Sequence, residues 1–286
     1  MSSRQSPNPQ PSDSDVQLRK LFGQALETWR QEQDPQSDRL WGLVSEAAAV
    51  GRRAYDIGIH FIKSPDPAQR VVATDVLAMV AVQHRTAGGS VARAMIGLLN
   101  RETDLNVQWS ALVALGPTGS EEAIPVLVEW LESEDADLRC QAVQALNLVM
   151  EATGETPEGV KAIIKATSDS DREVKFWATT SLAEGVLGNT DEIRDALGVR
   201  LFDNDDEIRN EAIFGLSSRK DPRMATTLEQ ALRGPRPAPR IFDSVVALGD
   251  PVLLPALEQV TPETVTQQRL DDIKAGLQDQ KPSSGS

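Results

Sequence analysis

The chain has 286 residues, of which 40% are hydrophobic and only 4% aromatic. Its 43 acidic and 29 basic side chains give a net charge of −14, which argues against binding to the phosphate backbone of nucleic acids. The single cysteine, Cys140, excludes an intrachain disulfide, and neither a secretory signal nor an apolar run long enough to span a bilayer is visible. We therefore predict a cytoplasmic protein without membrane association.

The two ends of the sequence lack the regular pattern of the centre. Residues 1–14 are polar and carry three prolines, and we predict that they and residues 280–286 are disordered tails. Residues 261–279 are predicted to form a C-terminal capping helix, because an array of repeats must end in something that can face water. Residues 15–63 are predicted to hold divergent N-terminal helices that cap the other end, at about 16–31, 37–51 and 52–63.

Between these ends, one short phrase recurs at a spacing of 31 to 38 residues. Each copy ends in a leucine: Leu77, Leu115, Leu146, Leu182, Leu216 and Leu248. Seven positions earlier stands an anchor residue, which is basic in four copies: Arg70, Gln108, Arg139, Lys175, Arg209 and Ile241. Four positions before the leucine stands a small residue: Ala73, Ala111, Ala142, Ala178, Ala212 and Ser244. A period of this length is the signature of repeat architectures, so residues 64–260 are predicted to form six stacked repeats.

Each repeat is predicted to consist of a helix A, a short turn, a helix B and a short loop. In five copies an aspartate that can cap helix A precedes the anchor by four residues: Asp66, Asp104, Asp135, Asp171 and Asp205. Helix A is predicted at about 66–82, 104–115, 135–151, 171–186, 205–217 and 239–248. Helix B is predicted at about 89–100, 120–132, 157–167, 191–202, 221–233 and 250–260.

The phrase Asp-x-x-x-Arg-x-x-Ala-x-x-Ala-Leu, best developed from Asp135 to Leu146, resembles a HEAT repeat. It is most similar to the HEAT-like repeats of phycobilisome lyases, and the resemblance covers about residues 64–260. It implies an all-α fold, a right-handed α-solenoid of stacked antiparallel helix pairs, in which the A helices form the outer layer and the B helices line a concave face. The resemblance identifies a fold and not an activity, because this superfamily includes scaffolds, adaptors and a few enzymes.

Four residues of the third copy illustrate why these residue types recur. Ala142 and Leu146 share one helix face, where the small residue lets the neighbouring helix approach and the leucine fills the seam. Asp135 is predicted to cap helix A. Arg139 is predicted to meet the aspartate of an adjacent repeat, which would give a ladder of ion pairs along the stack. All four are therefore interpreted as structural.

The chain offers little catalytic chemistry. Its two histidines, His60 and His84, stand apart, whereas a zinc site needs about four ligands. The His-Glu dipeptides with which some HEAT-like proteins similar to deoxyhypusine hydroxylase bind iron are missing. Cys140 has no histidine near it in sequence, so we interpret it as a buried small hydrophobic residue. We predict no enzymatic activity, no metal and no cofactor.

Candidate binding residues lie on the B helices, at positions that vary in charge and size while their neighbours stay apolar. Trp130 is the leading candidate, because tryptophan is frequent among binding hot spots and this one lies on a helix B, unlike Trp109 and Trp177. The full set is Arg93, Glu129, Trp130, Lys161, Lys165, Asp195 and Gln230. Unconstrained solvent-exposed positions would vary in the same way. A surface of mixed charge suits a protein or peptide partner better than a nucleic acid.

Three functions remain open from the sequence. The first is a non-catalytic scaffold or adaptor that binds a protein or peptide on its concave face. The resemblance to phycobilisome lyases implies a second, an enzyme or enzyme subunit that attaches or detaches a linear tetrapyrrole. A third is a DNA glycosylase-like activity, which in HEAT-like enzymes uses tryptophans and an aspartate on a basic surface, and which the negative charge of this chain disfavours.

Overall fold

The computed structural model describes residues 13–261 and 265–280, and this part of the chain is helical without any β-strand, which confirms the all-α prediction. Residues 1–12 and 281–286 of the two predicted tails lie outside the described residues, whereas Asp13 and Ser14 already belong to the first helix. The helices are α1 (Asp13–Glu32), α2 (Asp38–Ala48), α3 (Arg52–Phe61), α4 (Pro67–Gln83), α5 (Gly88–Leu99), α6 (Leu105–Leu115), α7 (Ile124–Trp130), α8 (Ala136–Thr153), α9 (Pro157–Ala166), α10 (Arg172–Thr180), α11 (Asp191–Arg200), α12 (Asp206–Ser218), α13 (Met224–Leu232), α14 (Pro239–Leu248), α15 (Leu254–Leu257) and α16 (Gln267–Asp279).

The helices form two compact units, unit 1 (Met1–Gly154) and unit 2 (Glu155–Ser286). In unit 1, α6 packs between α4 and α8, while α5 packs against α4 and α6, and α7 against α8. In unit 2, α12 packs between α10 and α14, and α11 and α13 pack against α12. Each unit is thus a row of A helices backed by a row of B helices, as the repeat pattern predicts.

The recurring aspartates cap the A helices. Asp135 has an extended backbone, and its Oδ1 accepts hydrogen bonds from the N–H groups of Asp137 at 2.9 Å and Leu138 at 3.1 Å. The aspartates before α4, α6, α10 and α12 accept from their own helices in the same way: Asp66, Asp104, Asp171 and Asp205. The cap satisfies N–H groups that have no partner within the helix. The cap also fixes the residue at which the helix starts. For this reason the recurring aspartates could be used to predict the start of each helix A from the sequence.

We expect Asp135→Ala to lower the free energy of unfolding by about 1 kcal/mol, because two N–H groups of α8 lose their acceptor. Urea unfolding followed by circular dichroism measures this loss. Asp135→Ser keeps a capping oxygen and should recover most of it. Equal destabilisation by alanine and serine would show that the loss has another origin.

The leucine of the phrase fills the core of each repeat, with one exception. Five copies are fully buried: Leu77, Leu115, Leu146, Leu182 and Leu216. The small residues are buried as well, including Ala142 and Ser244. Leu248 is only half-buried, because it is the last residue of α14 and Gly249 turns the chain away in the left-handed conformation.

Four anchor residues hold the loop before their own helix, a role that the sequence did not indicate. Arg139 Nη1 donates to the carbonyl oxygens of Ser133 at 2.8 Å and Glu134 at 3.1 Å, which lie in the loop before its own helix. The anchors of three other copies donate to the carbonyl oxygen six residues earlier in the same way: Arg70 to Ser64, Gln108 to Glu102 and Arg209 to Asp203. The anchor therefore closes the loop that leads into its own repeat. A long side chain can reach this carbonyl because helix residues point back towards the N-terminus.

Ion pairs with the next repeat exist, but they use a carboxylate two residues before the capping aspartate. In unit 1, Arg70 donates through two nitrogens to Glu102, at 2.7 and 2.9 Å. In unit 2, Lys175 Nζ lies 3.5 Å from Asp203. At these two positions the anchor therefore meets Glu102 or Asp203 and not the capping aspartate that we predicted.

Two predicted B helices are shorter than expected. Regular α-helix begins only at Ile124 in α7 and at Leu254 in α15, each after a 3-10 turn. Both helices carry a proline as their second residue, Pro125 and Pro255, and proline has no N–H to continue a helix that began earlier. The last helix, α16, starts at Gln267, later than the predicted 261, and residues 262–264 of that prediction lie outside the described part of the chain.

Helix α10 ends in a π-helical turn, Ser181–Gly185, which Arg219 holds in place. The guanidinium of Arg219 is buried and donates to backbone carbonyls on two sides of this turn. Its acceptors are Leu182 at 2.9 Å, Ala183 at 3.4 Å, Val186, Gly188 at 3.0 Å and Gly215 at 2.9 Å. Burial lowers the pKa of Arg219 from its usual value, and the nearby Arg194 lowers it further. A helix end that lacks ordinary partners is thus satisfied by one planar side chain with five donors.

Candidate functional site

The predicted binding residues of unit 1 lie on helices α5 and α7. Arg93 and Glu129 are exposed, and Trp130, at the end of α7, is half-buried. Arg93 Nη1 lies 3.2 Å from the carboxylate of Glu122, which is exposed as well. An exposed pair of this kind contributes little to stability, about 0–1 kcal/mol. The fold therefore depends little on the Arg93–Glu122 pair.

The predicted binding residues of unit 2 lie on helices α9, α11 and α13. All four side chains are exposed to solvent: Lys161, Lys165, Asp195 and Gln230. The two lysines are one helical turn apart on α9, so they project from the same side of that helix. The hydrogen bonds from Arg223 to Asp221 raise the pKa of that guanidinium, and the charge of the nearby Asp195 adds to the shift. The surface has mixed charge, as expected from the sequence.

Exposed apolar side chains accompany this surface in unit 2, and sequence reasoning missed the largest of them. Val199 on α11 is 57% exposed and Phe202, three residues later, is 86% exposed. Leu187, in the turn before α11, is also 86% exposed. A large apolar residue inside a polar loop such as Phe202-Asp203-Asn204-Asp205 is the signal that could have been used. Exposed aromatic side chains are typical of protein-binding surfaces.

The histidines and the cysteine are placed apart. His84 Nε2 lies 3.2 Å from the carbonyl oxygen of Ala48, and the ring of His60 packs edge-on against Phe61. Cys140 is buried in α8, as its interpretation as a small hydrophobic residue required. Within residues 13–261 and 265–280, no three His, Cys, Asp or Glu side chains are grouped so that they could hold a metal ion.

A cavity on the A-helix side of unit 1 is the feature that the sequence did not indicate. It has a volume of about 290 Å³ and lies where α1, α4, α6 and α8 meet. Trp29 and Trp109 line it, and so does Asp75, which is only 5% exposed. Trp109 is half-buried and lines this cavity.

Asp75 is an acid in an apolar environment. Its Oδ1 accepts a hydrogen bond from the hydroxyl of Ser110, and among the described residues no other group donates to this carboxylate. Burial raises the pKa of Asp75 to about 7, and the bond from Ser110 lowers it by less. A carboxylate that is kept in such a place costs stability, which marks it as a candidate for function.

Comparison with known proteins identifies the family. The family model for HEAT repeats matches residues 59–147 and 160–249, which together are more than half of the chain. The chain belongs to the HEAT-repeat family. Within this HEAT-repeat protein, the two matched segments contain all six leucines of the repeated phrase. No helix in the described part of this HEAT-repeat protein is both long and apolar enough to cross a bilayer.

Among relatives of this HEAT-repeat protein is Protein YibA of Escherichia coli, which is 34% identical over 99 residues. That match spans 35% of each of the two chains, so this chain covers about a third of the curated relative in sequence. The solved structure of YibA aligns with 96% of this chain and 99% of its own, with a TM-score of 0.66 and 18% identity. At this identity the similarity shows the fold alone.

Two further structures share the fold of this HEAT-repeat protein. A structure of Kap95p with RanGDP aligns with a TM-score of 0.61 and 16% identity, over 96% of this chain and 42% of that one. The CpcE–CpcF phycocyanin lyase of Nostoc sp. PCC7120 aligns with a TM-score of 0.48 and 18% identity, over 81% of this chain and 90% of that one. The second similarity is too low to support an argument about activity.

Proposed function

We propose that this HEAT-repeat protein is a non-catalytic scaffold or adaptor of the cytoplasm, which binds a protein or peptide partner on the face formed by its B helices. The observation that carries the proposal is the contrast between the two helix rows. Charged side chains of the A helices close loops and bridge repeats, as Arg70 and Arg139 do. On the B helices, side chains such as Lys161, Asp195 and Gln230 project into solvent, where a partner can contact them.

The chemistry of the B-helix face supports a protein as the partner. Lys161 and Lys165 alternate along the chain with acidic positions such as Glu129 and Asp195, and this mixture does not match the uniform charge of a nucleic acid. The exposed Val199 and Phe202 add apolar surface that a protein can cover. Kap95p, whose structure has a similar fold, binds RanGDP, so a fold of this kind can support binding to a folded protein.

Quantitative affinity purification tests this proposal. The full chain carries a tag in its native cells, and three forms are compared: wild type, Lys161→Glu/Lys165→Glu on α9, and Arg19→Glu/Lys20→Glu on α1. The two variants make the same change in charge on exposed helix positions, so a general electrostatic effect would appear in both. We expect a partner that is recovered in stoichiometric amounts with wild type and the α1 variant.

The α9 variant should recover the same partner roughly tenfold less well, which corresponds to about 1.4 kcal/mol of binding free energy. Circular dichroism spectra and unfolding midpoints should be unchanged in both variants, because all four side chains are exposed. Recovery of no stoichiometric protein would contradict the scaffold proposal, and equal losses with both variants would contradict the assignment to the B-helix face.

A further inference from the structure

The cavity in unit 1 has the dimensions of a binding site for a single side chain or a small ligand. Its volume of about 290 Å³ is at the lower end of the range for small-molecule sites, about 300–1,000 Å³. Its lining comes from four helices of the A-helix side and the loop after α1. The residues that matter below are Trp29, Pro35, Asp75, Leu105, Trp109 and Asp137.

The lining combines apolar and aromatic side chains with polar ones, and its charges have one sign. Trp29 and Trp109 supply indole rings, and Leu105 adds an apolar rim that is 56% exposed. The charged residues of the lining are all carboxylates, namely Asp75, Asp135 and Asp137. An anion would be repelled here, and a neutral apolar ligand would leave the Asp75 carboxylate without a partner. The site therefore suits an organic cation.

Unit 2 shows how this chain holds such a cation on the same helix side. The guanidinium of Arg240 lies over the ring of Phe214, 3.8 Å from its centre, and Arg240 Nη2 lies 2.6 Å from the carboxylate of Glu211. Phe214 stands five residues after its anchor, the same repeat position as Asp75, and Glu211 stands two residues after, the same position as Ser110. In unit 2 the chain's own Arg240 thus binds to an aromatic ring and a carboxylate of the A helices. The lining of the unit 1 cavity has the ring and the carboxylate but no basic residue.

A guanidinium fits this cavity better than an ammonium group. It is planar, so it can stack on an indole ring while its edge donates two hydrogen bonds to one carboxylate. It is also less strongly hydrated than an ammonium ion, so it loses less on entering an apolar site. Asp75 offers one oxygen that no described residue engages, and Ser110 holds the other in place.

We propose that the cavity lined by Trp29, Asp75 and Trp109 binds the guanidinium group of an arginine side chain that the partner presents. The proposal rests on the proposed function in taking the partner to be a protein. It adds a second point of contact, on the A-helix side of unit 1, and it assigns the chemistry of that contact. The two indole rings stack on the guanidinium, Asp75 pairs with it inside, and Asp137 attracts it at the rim.

Nuclear magnetic resonance of the indole N–H groups in the full chain tests this proposal. The probe is Nα-acetylarginine amide, and the matched control is Nα-acetylcitrulline amide, which has nearly the same shape without the charge. We expect the arginine derivative to shift the indole resonances of Trp29 and Trp109 in a saturable way, and the citrulline derivative to leave them unchanged. Asp75→Asn should weaken this binding at least tenfold and Trp109→Ala at least fivefold, whereas Trp177→Phe in unit 2 should leave it unchanged.

Several results would overturn the proposal. These are equal shifts with the citrulline derivative, binding of Nα-acetyllysine amide as tight as that of the arginine derivative, or unchanged arginine affinity in Asp75→Asn. Unshifted indole resonances up to the solubility limit of the probe would also overturn it. The probe is a free amino acid derivative, so the outcome does not depend on finding a partner. Failure of the affinity purification and failure of this titration are therefore separate results.

Discussion

Replacing Arg219 by alanine is expected to lower the free energy of unfolding by about 3–5 kcal/mol. The substitution removes five donors at once from carbonyls that surround the π-helical turn after α10. Each buried acceptor that is left without a partner costs about 1–3 kcal/mol, and water that enters the space will recover part of this. The sum is large because one side chain serves several carbonyls at once, of which those of Leu182, Ala183 and Val186 lie in or directly after the π-helical turn.

Urea unfolding of the protein measures this loss, with the fluorescence of Trp177 as the signal from unit 2. Arg219→Lys should recover less than half of it, because an ammonium group has three donors and cannot reach carbonyls on both sides of the turn. Arg233→Ala is the matched control, since that arginine is exposed and pairs with Glu229 one turn away, and it should change stability by less than about 0.5 kcal/mol. A loss below about 1 kcal/mol in Arg219→Ala would show that the π-helical turn does not depend on this side chain.

Asp75→Asn is expected to stabilise the protein at pH 8 by about 2–4 kcal/mol. In the unfolded chain the pKa of Asp75 has its usual value of 3.8, and burial in the folded protein raises it to about 7. Between these values the folded state binds more protons than the unfolded state. The stabilising contribution of Asp75 is therefore complete below about pH 4 and is lost as the pH rises through 7. A shift of this size corresponds to at most about 4 kcal/mol.

The difference between wild type and Asp75→Asn isolates this group from the other carboxylates. Unfolding by urea at pH 4, 6 and 8 should give nearly equal stabilities at pH 4 and a growing advantage of the asparagine variant above it. Asp272→Asn, on an exposed position of α16, should show no such trend. An advantage that is the same at all three pH values would mean that the gain comes from packing and not from the ionisation of Asp75.

The fold could be predicted because its signals are local. The capping aspartate, the small residue and the leucine lie within one helix, and each has its effect on the nearest seam, as Asp135, Ala142 and Leu146 show. The exceptions have local causes too, such as Pro125 at the start of α7. The pattern gives the position of an anchor such as Arg70, but not which of two nearby carboxylates it reaches, Glu102 or the capping Asp104.

The sites were harder to predict for a different reason. Exposure on the B helices followed from periodicity, and the structure places Lys161 and Gln230 on the surface as expected. The cavity depends on Trp29, Asp75 and Trp109, which come from three different helices and share no spacing. Asp75 stood in an apolar run between Thr74 and Val76, and a buried acid at such a position is the one hint that the sequence contained.

The bond from four of the anchors to the loop before them also decides where one repeat can be separated from the next. A segment that starts at Ser133 keeps the carbonyl to which Arg139 donates, whereas one that starts at Asp135 has lost it. The boundaries between structurally complete repeats therefore lie before these loops, at Ser64, Glu102, Ser133 and Asp203. A gene duplication that copies the chain between two such points would add a repeat that already contains the bond from its anchor to its own loop. This is a simple route by which an array of this kind can grow longer.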